Sequence, residues 1–307
     1  MKRFLTILIL AVLFPFLNKA QYIPVFSDYI SNGLLINPAY SGSREVLSLS
    51  FLFRNQMAGI DGSPVYETFS AHAPLKNAHI GLGFLLMNEK TFQTVNTHAY
   101  FNYAYRMKVG SGKLALGLKA GINYTNNDWS NLDLNNPADP AFGNNTKRYI
   151  LPNFGVGAFY STQKVFAGFS IPYILSFKES SPGSGYKIYH DMSNYNYLLT
   201  SGYLFDISRN FKLKPSFLFT YNSKIPIRLD INMNFILIND KLWIGTAYRI
   251  NEAMSSSFEI QVNPQLRFGY TFDYSGGQVN YFKYTSHEIF IRYEFSYKIK
   301  AFNPRYF

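Results

Sequence analysis

Apolar and polar residues alternate with a period of two through segment after segment of this chain. In residues 228 to 235 one parity reads Leu229, Ile231, Met233 and Phe235, while the other reads Arg228, Asp230, Asn232 and Asn234. Successive side chains of a strand point to opposite faces, so the split describes a β-strand with one apolar and one polar face. Residues 265 to 274 repeat it, with Leu266, Phe268, Tyr270, Phe272 and Tyr274 interleaved with Gln265, Arg267, Gly269, Thr271 and Asp273. Residues 114 to 124 set Leu114, Leu116, Leu118, Ala120, Ile122 and Tyr124 against Ala115, Gly117, Lys119, Gly121 and Asn123. Segments of about nine to eleven residues with one lipid-like and one wet face are the signature of transmembrane β-strands.

Turn signals between the alternating runs predict about 14 strands. Their cores fall at 45–54, 64–74, 78–88, 93–107, 112–125, 152–161, 164–174, 194–205, 211–222, 227–238, 241–250, 256–263, 265–274 and 286–298. Asn263-Pro264 reads as a turn or as a bulge in one long strand. Connection lengths check the count, because outer-membrane barrels place short turns in the periplasm and long loops outside. With a periplasmic amino terminus, the three longest connections, 126–151, 175–193 and 275–285, follow the fifth, seventh and thirteenth strands and all fall outside. Connections after even strands are brief: Lys76-Asn77, Val109-Gly110-Ser111, Thr162-Gln163, Asp206 to Asn210 and Asn239-Asp240. The expected fold is all-β, a transmembrane antiparallel up-and-down β-barrel. A secreted sandwich or propeller would alternate as well.

Composition favours the barrel. Aromatic residues make up 18% of the chain and charged residues only 15%, as an outward apolar surface with aromatic girdles requires. Lys2 and Arg3 precede an apolar run from Phe4 to Leu17 and the small residue Ala20, which is the layout of a signal peptide cleaved after Ala20. A membrane anchor fits less well, because the run contains Pro15 and is shorter than the roughly 20 residues of a spanning helix. No other apolar stretch approaches that length, which excludes a multi-helix membrane protein. The expected organisation is a signal peptide at 1–20, a periplasmic amino-terminal segment at 21–44, the barrel at 45–298 and a tail at 299–307, in the bacterial outer membrane. Cysteine is absent, so disulfide frameworks and thiolate chemistry are excluded. Without Lys2, Arg3 and Lys19, 26 basic residues face 18 acidic ones. They are scattered rather than clustered, which suits anionic lipid headgroups better than nucleic acid.

Candidate chemistry is sparse. His72 shares the polar parity of its segment with Tyr66, Thr68 and Ser70, and His98 shares its own with Asn96, Tyr100 and Asn102, so both are expected to face the lumen. Ser70 and His72, as a nucleophile and base, would stand roughly 7 Å apart on one strand face, beyond hydrogen-bond reach. His287-Glu288 lacks the second histidine of a zinc helix motif. Gly81-Leu82-Gly83 and Gly155-Val156-Gly157 lie inside alternating runs, where glycine marks a close backbone approach or a bend rather than a phosphate cradle. The loop at 126–151, rich in Asn, Asp and Pro, reads as a solvated loop or a partner site. No catalytic residue, cofactor or metal is therefore expected, and the protein reads as a non-enzyme.

Short motifs carry more identity than the strands. Asn37-Pro38-Ala39-Tyr40-Ser41-Gly42 is followed by Arg54-Asn55-Gln56 and by Gly59-Ile60-Asp61-Gly62-Ser63-Pro64. Further on come Pro152-Asn153-Phe154-Gly155-Val156-Gly157, Gly168-Phe169-Ser170-Ile171-Pro172, Gly269-Tyr270-Thr271-Phe272-Asp273, His287-Glu288-Ile289 and the terminal Pro304-Arg305-Tyr306-Phe307. In order and spacing the series resembles the PorP/SprF family of type IX secretion system outer-membrane proteins, over nearly the whole mature chain. Where the family commonly has tryptophan after Arg-x-Gln, this chain has Met57, which keeps bulk and loses the indole donor.

The resemblance implies a barrel working in export or surface anchoring of cargo proteins such as gliding adhesins. Its implied partners are cargo carboxy-terminal domains or adhesins, periplasmic type IX ring and peptidoglycan-associated components, and outer-membrane lipid, with no nucleic acid. Motif residues expected to set turns, close the barrel or touch partners are Asn37, Pro38, Ala39, Tyr40, Gly42, Arg54, Gln56, Gly59, Gly62, Pro64, His287, Glu288, Arg305 and Phe307. A porin or ligand-selective channel is the alternative.

Overall fold

The computed structural model describes residue 29 and residues 32–76, 78–128, 146–179, 186–276 and 283–295. The expected signal peptide and the expected tail, with Arg305 and Phe307, lie outside these residues. The strands are β1 (Leu47–Ala58), β2 (Val65–Pro74), β3 (Ile80–Thr91), β4 (Thr94–Val109), β5 (Gly112–Asp128), β6 (Thr146–Ser161), β7 (Val165–Ile171), β8 (Leu175–Glu179), β9 (Tyr186–His190), β10 (Tyr197–Tyr203), β11 (Phe205–Ser208), β12 (Phe211–Asn222), β13 (Ile225–Leu237), β14 (Leu242–Arg249), β15 (Ala253–Gln261), β16 (Leu266–Ser275) and β17 (Tyr284–Phe295).

All but β8 and β9 form the wall of a closed antiparallel barrel, 14-stranded with β10 and β11 as one interrupted strand. β10 pairs with both β7 and β12, and β11 continues it past Leu204 onto the foot of β12. β1 closes the cylinder against β17 in a register running from Leu47 opposite Phe295 to Asn55 opposite His287. Closure gives every wall strand two neighbours, so backbone N–H and C=O groups are paired without water, as a lipid environment demands.

Burial inverts the usual soluble order, which is what alternation means in lipid. In β16 the polar parity, Arg267, Thr271 and Asp273, is buried, while Phe268 and Tyr274 are exposed. Asp230, Asn232 and Asn234 of β13 are buried with Ile231 exposed beside them. Phe101, 71% exposed, and Leu118, 59% exposed, belong to the outward apolar belt.

All 14 expected strand cores correspond to wall strands. Asn263-Pro264 is a turn between two strands: Asn263 Oδ1 accepts from the N–H groups of Gln265 and Leu266 at 2.9 and 2.8 Å. The expected loop at 126–151 is shortened by strand at both ends, and its centre lies outside the described residues. The expected loop at 175–193 holds a separate hairpin instead, β8 on β9, with Leu175 opposite His190. A 3-10 turn follows it at Met192–Asn194, capped by Asp191. Hydrogen bonds from Ser193 and the nearby Lys224 ammonium pull the Asp191 carboxyl down to about 2, so this exposed cap stays charged well into acid.

A second expectation fails. Residues 32–44, read as part of a periplasmic segment, lie inside the barrel. Leu34, Ala39 and Tyr40 share one buried cluster with the wall residues Ala104, Ala115, Phe159, Phe166, Leu204, Ile236 and Trp243. Leu35 joins Leu52, Leu85, Tyr100 and Phe290. A barrel of this strand number is wider than its own lumen side chains fill, and an apolar segment just ahead of β1 fills the remainder.

Candidate functional site

The plug is built from two short turns, Gly33–Leu35 and Pro38–Tyr40. Asn37 caps the second, its Oδ1 accepting from the N–H of Ala39 at 2.9 Å, and Pro38 follows where its missing N–H costs nothing. The same side chain reaches the wall: Nδ2 donates to the carbonyls of Ala158 and Phe169 at 2.9 and 3.3 Å. Ser41 Oγ closes the turn onto Pro38 O at 2.9 Å. Gly42 then reverses the chain at φ +75°, a conformation costly for other residues, and its N–H donates to His72 Nδ1 at 3.1 Å. The Tyr40 ring stands edge-on to His72 and Phe159.

The wall is notched to receive this backbone. A Cβ on Gly117 would sit 2.1 Å from Ala39 N, one on Gly157 2.1 Å from Asn37 Oδ1, and one on Gly81 2.0 Å from Ser41 O. The glycines that interrupt the strand pattern at 81 and 157 thus mark a close approach. Further ties run along the lumen: Tyr29 Oη bonds with Asn232 Nδ2, Asn32 Nδ2 donates to Ser70 Oγ at 3.0 Å, and Ser170 Oγ donates to Ile36 O at 2.6 Å. At the end nearest β1, Arg44 pairs with Glu294 at 2.9 Å, and Glu45 takes Arg106 and, at 2.8 Å, Lys113. Ser70 and His72 are therefore each tied to the plug and not to one another. Asn37→Ala removes a cap and two wall bonds at once. It is expected to cost about 2 kcal/mol, read as a lower urea midpoint of the barrel in detergent.

Three motifs far apart in sequence meet at the closing seam. Arg54 lies opposite Glu288 in the β1–β17 register. Its Nη1 donates to Glu288 Oε2 at 2.8 Å and its Nη2 to Asp273 Oδ2 at 2.6 Å, all three side chains being buried. A planar guanidinium bridging two carboxylates on neighbouring strands fixes register by geometry as well as charge. His287 belongs to the opposite parity and faces outward, its Nδ1 2.7 Å from Tyr270 Oη.

The hairpin beyond the seam uses the remaining motif residues. Gln56 is buried, and its N–H donates to Pro64 O at 2.9 Å. Met57 sits at φ +53° beside a register shift and donates its backbone N–H to Ser286 Oγ at 3.1 Å. Gly59 and Gly62 take φ +90° and +75°. Gly62 O accepts from Phe92 N at 2.9 Å, and the Phe92 ring lies where a Gly62 Cβ would be. These turns line a cavity of about 370 Å³ at the long-loop rim with Asp61, Ser63 and Lys90.

Several lumen residues carried no motif signal. Lys119 is buried with its Nζ 4.4 Å from the Tyr100 ring centre and 4.0 Å from that of Tyr173. Arg249 pairs with Asp230 at 3.0 Å and Arg267 with Glu259 at 3.1 Å. Their only trace in sequence is charge on the parity that faces inward.

Solved structures with this architecture are outer-membrane barrels. Omp33 of Acinetobacter baumannii shares 8% identity over 83% of this chain and 100% of its own, with a TM-score of 0.50. The CymD monoaromatic hydrocarbon channel shares 12% over 88% and 93%, at 0.51. The toluene transporter TbuX of Ralstonia pickettii shares 8% over 89% and 94%, at 0.50. At such identities the likeness is one of fold. No curated protein matches the sequence. The family model described as type IX secretion system membrane protein PorP/SprF matches residues 18–293, which takes in the plug, the seam and all the wall strands but the last two residues of β17. The chain belongs to the PorP/SprF family of type IX secretion outer-membrane barrels.

Proposed function

We propose that this barrel is a non-enzymatic partner of the type IX machinery, acting in export or surface anchoring of cargo proteins such as gliding adhesins. The family supports this reading, and one structural observation carries it further. The lumen is occupied by the plug and by paired charges, which leaves the two rims as the surfaces open to other proteins. Cargo carboxy-terminal domains or adhesins would meet the long-loop rim, where the Gly59 to Pro64 hairpin stands. Periplasmic ring and peptidoglycan-associated components would meet the short-turn rim. A passive pore has less support, because the plug crosses the space a solute would need.

Deleting the gene is expected to strip cargo from the cell surface while leaving small-solute uptake unchanged. Surface labelling of cargo in the deletion strain checks it, and normal display would refute the proposal.

A further inference from the structure

The short-turn mouth of the barrel contains a cavity of about 450 Å³ that the plug closes from within. Ser43, Glu45 and Leu204 form part of its lining, with Ser111, Ser161, Thr162 and Gln163 around them. Four lysines line it, Lys108, Lys113, Lys164 and Lys212, against two carboxylates, Glu45 and Asp206. They come from three separate parts of the chain: the β4–β5 hairpin, the turn before β7 and the start of β12.

The charges are only partly met from within. Lys113 pairs with Glu45 at 2.8 Å, Lys164 with Asp206 at 3.3 Å and Lys212 with Asp240 at 2.9 Å. Lys108 makes no ion pair among the described residues. Each ammonium carries three donors, so one carboxylate leaves it able to bind another. One buried lining group also lacks a hydrogen-bond partner: Ser43 Oγ, on a residue only 8% exposed. An unmet buried donor costs free energy that a ligand oxygen would return.

We infer that this mouth is a binding site for an acidic polypeptide segment. The excess of lysine sets the sign of the ligand, and the spread of donors over three chain segments suits carboxylates placed along an extended chain better than one compact anion. The cavity lies within the size range of ligand sites. The inference rests on the proposed function only in taking the occupant from a periplasmic partner protein.

The test uses the full-length barrel in neutral detergent with a hexaglutamate peptide, read by fluorescence anisotropy, and hexaglutamine as its uncharged counterpart. Saturable binding of hexaglutamate alone is expected, weakening as salt is raised. Lys108→Glu with Lys164→Glu is expected to weaken it about tenfold or more, while Lys241→Glu, on the same rim outside the cavity, leaves it unchanged. If the double reversal perturbs folding, Lys108→Gln with Lys164→Gln serves in its place and is expected to weaken binding in the same direction. Absence of saturable binding, or equal binding by the double variant, overturns the inference. Full displacement of the peptide by inorganic phosphate or by vesicles of anionic phospholipid overturns it in favour of a small-anion or headgroup site. A barrel that displays cargo normally in cells but fails these measurements sinks the site and leaves the proposed function standing.

Discussion

Arg54→Met is expected to destabilise the folded barrel by about 3–5 kcal/mol, the usual cost of stranding buried carboxylates. The substitution keeps an unbranched side chain of similar reach and removes both donors, so Glu288 and Asp273 lose the guanidinium that lies 2.8 and 2.6 Å from them. The urea midpoint in detergent reads the loss. Adding Glu288→Gln and Asp273→Asn to the same chain is expected to restore most of it, because neutral amides need no counter-charge in the wall. Recovery in the triple variant separates an electrostatic role from a packing role, since packing is no better there than in the single variant. A shift below about 1 kcal/mol for Arg54→Met would show that the seam holds without the triad, as exposed pairs generally allow.

Gly117→Leu is expected to expel the plug. The first atom of any side chain at 117 would meet the backbone of Ala39 at 2.1 Å, and backbone cannot turn aside as a flexible side chain does. Overpacking of a dense interior costs about 1–3 kcal/mol even where neighbours adjust, and here the least anchored element to move is the segment before β1. Single-channel recording in planar bilayers checks the outcome: the parent protein is expected to remain closed and the variant to conduct. Ala120→Leu, on the lipid side of the same strand, is expected to leave it closed. A variant that stays folded and closed would show that the plug is not what seals the lumen.

The wall was legible in the sequence because lipid leaves so little freedom. Every strand must put one parity out and one in, so runs such as Leu266 to Tyr274 announce both their conformation and their orientation. Strand ends were less legible, since β5 and β6 continue beyond the membrane pattern into polar residues. The β8–β9 hairpin was missed among the turn signals around it. The plug was invisible for a different reason. Asn37, Pro38 and Gly42 report a chain reversal but not where it happens, and only the lumen-facing glycines at 81 and 157 hinted that something approaches. Arg54 and Glu288 were each conspicuous as motif residues. That they form a pair depends on the register of the first strand against the last, which no local pattern encodes.

The seam joins residues 234 positions apart, and the plug enclosed behind it comes before every wall strand in the chain. Contacts so distant form late, because the intervening chain must first be ordered. The amino-terminal segment must therefore wait, already inside the curling sheet, while strand after strand is added. Assembly then has a natural checkpoint: a wall that closes without its plug has an unfilled core and an open lumen.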